Sequence, residues 1–210
     1  MPNQDSFEVE NQEKIHSLPS LGHSVLLGSI GFTLASLVVF GTVAFAGRWM
    51  YQNLGVAGAY LTWVLLFILL AGGLLGFLVT GPWRLPRFYL LFGLAFLGYS
   101  AGWIGAYFTV TGATGEWLGS LAGSVLLASI LALGFKATRS ILNLSVLLFV
   151  TNSVGYFLGS TLNSAFGGRA GMLLWGLAYG LFLGSGLGAA LHLVQTRSAT
   201  TVLSTRKQQT

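Results

Sequence analysis

The chain has 210 residues, 54% of them hydrophobic and only 7% charged, with a net charge of +5. A soluble domain carries about 25% charged residues, so this chain lacks the side chains to clothe a water-facing surface. The absence of cysteine excludes disulfides, thiolate metal sites and Cys nucleophiles, and the scattered basic residues give no patch for nucleic acid.

Residues 1–20 are polar, and Asp5, Glu8, Glu10 and Glu13 outweigh Lys14. A signal peptide needs a positive flank before its apolar run. This stretch therefore reads as a retained acidic cytoplasmic tail without fixed structure. Six apolar segments follow, at 22–46, 56–79, 88–110, 117–135, 141–163 and 170–194, none holding an Asp, Glu, Lys or Arg. Each is close to the roughly 20 residues that cross a hydrocarbon core. The predicted fold class is an all-α membrane protein: six transmembrane helices in a Gly-rich bundle over 21–195, joined by short loops. Pro2, Pro19, Pro82 and Pro86 all fall outside these segments, as helix breakers should. Residues 196–210 are Ser/Thr-rich, end with Arg206 and Lys207, and read as a second disordered tail.

Orientation follows from the cations. With six crossings, both termini share a side with the 80–87 and 136–140 loops. That side holds Lys14, Arg84, Arg87, Lys136, Arg139, Arg197, Arg206 and Lys207; the other holds Arg48 and Arg169. Both termini are therefore expected in the cytoplasm, with the protein in the plasma (inner) membrane or an organellar membrane. The bilayer is its first partner.

Small residues at four-residue spacing stack on one helix face. The longest stripe is Gly176, Gly180, Gly184 and Gly188, and shorter ones are Gly115, Gly119, Gly123 and Gly98, Gly102, Ala106. In lipid, close backbone contact and dispersion hold helices together. Such a stripe serves either a tightly packed monomeric bundle or a docking face for a second copy or another subunit. A weak internal repeat also shows: Gly98-Tyr99-x-x-Gly102 returns as Gly155-Tyr156-x-x-Gly159.

Polar residues at membrane depth are the functional candidates. Asn152, Tyr156 and Asn163 share a face of the fifth segment, and Trp63, Trp103 and Tyr107 fall in the outer half of theirs. If they converge, they form a largely aromatic pocket with a few amides, facing outward. The alternatives are interhelical hydrogen bonding for the amides and an interfacial belt for the rings. Arg48 and Arg169 read as snorkelling helix ends, or as partners for Glu116, the one acid after Glu13.

His16, His23 and His192 form no ligand cluster in the sequence, so no metal and no cofactor is expected. No nucleotide, zinc-protease or serine-nucleophile motif is present, and no carboxylate pair serves acid–base work. The chain therefore reads as a non-enzyme. Two functions fit. One is a non-catalytic subunit, scaffold or assembly factor of a membrane complex. The other is a small-solute transporter, or its membrane-embedded binding subunit, for a neutral or aromatic ligand. In size and helix number alone, with no shared motif, the chain resembles the substrate-binding subunits of vitamin-uptake transporters.

Overall fold

The structure, a computed structural model, describes residues 18–80 and 83–207, with side chains described as far as residue 198. Most of the predicted N-terminal tail lies outside the described residues. Among the described residues there are five helices, α1 (Leu21–Leu75), α2 (Arg84–Thr109), α3 (Gly112–Gly134), α4 (Ile141–Phe166) and α5 (Gly168–Lys207), with short 3-10 turns at Gly76–Leu78 and Thr138–Ser140. All five are long and apolar enough to cross a membrane. Their outer faces carry large apolar side chains, among them Leu34, Leu69, Leu97, Leu126, Val150 and Phe182. A helix that is apolar all round belongs in a core or in lipid.

α1 starts where the Ser20 hydroxyl accepts from the His23 amide at 3.3 Å, a usual N-cap device. It is not one rod. Gly55 has φ 67° and ψ 179°, a region essentially reserved for glycine, and the chain reverses there. Phe32 and Phe67 consequently stack with ring centroids 5.4 Å apart. In an unbroken helix they would be about 50 Å apart. The first arm, 21–54, and the second, 56–75, thus lie side by side, and the second ends in the Gly76–Leu78 turn.

α2 begins earlier than its hydropathy indicates. Arg84, Leu85 and Pro86 form its first turn, and Pro86 is accepted there because first-turn N–H groups have no helical partner. Pro86 is therefore inside a helix, contrary to the expectation that every proline lies outside. α5 also runs past its predicted end at 194. Thr196 Oγ1 donates back to the His192 carbonyl at 2.9 Å. The buried Gln195 amide donates to the Leu78 and Leu191 carbonyls at 3.0 and 3.1 Å. Its Oε1 accepts from the Thr80 amide at 3.0 Å. This one side chain occupies the backbone groups left open where the second arm ends.

The four-glycine stripe of α5 meets the first arm of α1, antiparallel. A Cβ on Gly184 would lie 2.5 Å from the Gly28 carbonyl oxygen, and one on Gly180 2.5 Å from Thr33 Cα. Gly176 faces Phe40, and Gly188 faces Ser24. The Ser36 hydroxyl donates to the Gly176 carbonyl at 2.7 Å. The face that the sequence offers either to a monomeric bundle or to a second copy or subunit packs against the chain's own first arm. Beside it, Phe88, Phe92, Phe96 and Tyr99 climb α2 as a ladder of rings 5.4–5.7 Å apart. The ladder is buried throughout.

One end of the bundle carries the minimal reversals: Gly55, then Val110 and Thr111, then Gly167 at φ 62°. The other carries the 76–83 and 135–140 connections.

Candidate functional site

Toward the end with the minimal reversals, the helices part around a cleft of about 190 Å³. Rings enclose most of it in sequence. Trp103 of α2 meets Tyr156 of α4 at 5.3 Å, and Tyr156 meets Trp175 of α5 at 5.4 Å. Trp175 meets Phe40 of the first arm at 5.8 Å, and Phe40 meets Tyr179 at 6.0 Å. Tyr179 meets Phe67 at 6.2 Å, and Phe67 meets Phe96 at 5.2 Å. Such spacings suit tilted and edge-on ring pairs. Val39, Val43, Val64 and Ile104 complete apolar walls.

Behind the rings runs a buried polar chain. The Tyr99 hydroxyl donates to Asn152 Oδ1 at 2.8 Å. With its single proton committed there, Tyr99 must accept from the Tyr179 hydroxyl, also 2.8 Å away. Asn152 Nδ2 donates to Ser120 Oγ at 2.8 Å, and Ser120 and Ser153 hydroxyls pair at 2.7 Å. Four helices, α2 to α5, are joined by this chain. It spends the hydroxyl hydrogens of Tyr99 and Tyr179 on the protein itself.

Two donors at the cleft are not spent. The indole N–H groups of Trp63 and Trp103, both in the cleft wall, are buried with no acceptor, as is that of the adjacent Trp175. A buried donor without a partner costs free energy. Glu116 lies beside the Tyr156 hydroxyl, and the Arg169 guanidinium sits 4.8 Å above the Phe45 ring.

Of the residues singled out in the sequence, Trp63, Trp103 and Tyr156 meet in the cleft. Asn152 is fully buried one layer behind it and reaches it only through Tyr99. Tyr107 stacks on Trp103 at 5.2 Å as an outer rim, 37% exposed. Asn163 does not join them. It shares the Asn152 face, but eleven residues on, about 16 Å along the axis, where its carbonyl accepts from Gly167 N at 2.8 Å. Tyr179, Phe40, Phe67 and Phe96 line the cleft without having been singled out. Tyr179 alone had a signal, a phenol in mid-segment between Gly176 and Gly180.

The Gly-Tyr repeat has a shared geometry. Gly98 and Gly102 face α3, Gly155 and Gly159 face α5, and in both copies the tyrosine turns to the cleft. His192 Nδ1 lies 2.9 Å from the Pro19 carbonyl oxygen and fastens the start of the described chain to α5.

No protein-family model matches the chain, and neither does any curated protein or solved structure.

Proposed function

We propose that this chain is a multi-pass membrane protein that holds one small, uncharged, largely aromatic molecule in the cleft, as a transporter for it or as the binding subunit of one. The observation that carries the reading is the ring-walled cleft of about 190 Å³ with the unsatisfied Trp63 and Trp103 N–H groups beside it. An apolar cavity of about 150 Å³ takes up benzene, so one substituted ring suits the volume. Net charge on it would meet no counter-charge among the lining residues.

The same reading takes the two arms of α1 as separate crossings, six in all, with both termini in the cytoplasm. It is supported by the reversal at Gly55 and by the cations, of which Arg84, Arg87, Lys136, Arg139 and Arg197 sit at the end opposite Arg48 and Arg169. The scaffold reading drew on the absence of ionisable groups at membrane depth and on the long glycine faces, and packing inside the chain accounts for the α5 glycines.

The test is thermal unfolding of the purified protein in lipid across a panel of uncharged aromatic compounds. A ligand present at a hundred times its Kd stabilises by about 2.7 kcal/mol. A concentration-dependent rise in Tm that Trp103→Ala abolishes supports the reading. A flat panel at saturating concentrations sinks it.

A further inference from the structure

The seam between the second arm of α1 and α2 is closed at one end and parted at the other. On the second arm, Tyr60, Val64, Ile68 and Gly72 fall at four-residue spacing and share a face. On α2, Tyr89, Gly93, Ser100 and Ile104 also share a face, at spacings of four, seven and four. Near the 76–83 connection the two stripes touch. A Cβ on Gly72 would lie 2.8 Å from the Tyr89 ring, and one on Gly93 3.5 Å from Ile68. The Tyr89 hydroxyl donates to the Leu69 carbonyl at 2.8 Å. One to three turns further out, the same stripes carry Tyr60, Val64, Ser100 and Ile104. All four are half-buried, and all line the cleft. α2 packs broadly on α3 and sparsely on α1. The two helices therefore diverge as a V, pinned at Tyr89, whose mouth opens on the flank of the bundle.

We propose that this mouth is a lateral portal, and that the cleft takes its aromatic ligand from solution in the hydrocarbon layer. The inference rests on the ligand-binding reading above. The lips are uncharged, and the residues flanking them, Leu61, Leu65, Leu97 and Ala101, are exposed and apolar. A hydrated solute would have to surrender its water against these surfaces. A molecule already dissolved among acyl chains would not.

The chain has no cysteine, so a Val64→Cys, Ser100→Cys pair can be bridged uniquely by a short, reductant-cleavable bis-thiosulfonate. Replacing the exposed Trp49, Trp83 and Trp117 by Phe leaves the tryptophans at the cleft as reporters. Bromobenzene, a heavy-atom quencher, is then added to phosphatidylcholine vesicles holding the protein. The expected result is saturable quenching whose onset slows at least tenfold after bridging and recovers on reduction. Unchanged onset in the bridged protein overturns the portal and leaves cleft binding standing. Absence of saturable quenching in the reduced protein overturns the binding reading itself. Quenching by acyl-brominated lipid that unbrominated toluene does not relieve makes the cleft a lipid-tail site and overturns both. Should the first pair not fold, Tyr60→Cys with Ile104→Cys spans the same mouth.

Discussion

The Tyr99 hydroxyl, on α2, donates to the amide oxygen of Asn152, on α4, at 2.8 Å with both side chains buried. This contact sets the wall of the cleft, because Tyr99 in turn receives Tyr179. Asn152→Leu removes the bonds to Tyr99 and Ser120 together. Interhelical hydrogen bonds in a membrane protein average about 0.6 kcal/mol each. We expect a loss of about 1–2 kcal/mol, read by SDS titration in mixed micelles. Unchanged stability would show that the chain of hydroxyls contributes nothing net.

Gly184→Ala is expected to be costly although the change is one methyl. The new Cβ would meet the Gly28 carbonyl oxygen at 2.5 Å and Phe32 Cβ at 2.8 Å, and overpacking of this kind costs about 1–3 kcal/mol. Gly105→Ala is the control, since a Cβ there meets nothing within 4 Å. Equal stability of the two variants, measured by the same titration, would refute the close contact between the first arm and α5.

At Gly55 space is not the constraint, because a Cβ meets nothing within 4 Å. Backbone geometry is. With φ 67° and ψ 179°, Gly55→Ala should cost about 1–3 kcal/mol. A melting temperature equal to the parent's would mean that the reversal has another conformation open to it.

Gln195→Leu keeps the side chain's bulk and removes its amide. The Leu78 carbonyl and Thr80 amide then lose their partner. The expected penalty is about 1–3 kcal/mol, with earlier proteolysis at the 76–83 connection as a local readout. A variant as resistant as the parent would count against the role given to Gln195.

Much of this fold was legible in the sequence because lipid permits few alternatives. An uncharged apolar run of this length is a helix in a bilayer, and each of the six segments overlaps a helix or an arm of one. The errors have local causes. Pro86 looked like a boundary, yet a first turn needs no N–H there. The Thr196 region looked like a tail, yet α5 continues through it.

The site was only half legible. Periodicity reports the face a residue occupies, so Trp63, Trp103 and Tyr156 could be grouped. It is blind to which helix stands opposite. Asn152 faces inward and meets Tyr99 and Ser120 instead of the cleft, and Asn163 fails on axial distance alone. The α5 glycines were plainly a packing face, but spacing could not say that residues 24–40 of the same chain would fill it.

The reversals at Gly55 and Gly167, and the two-residue join at Val110 and Thr111, leave almost no chain beyond the rods at that end. An antibody would find no loop epitope there and a protease no extended strand to thread into its groove.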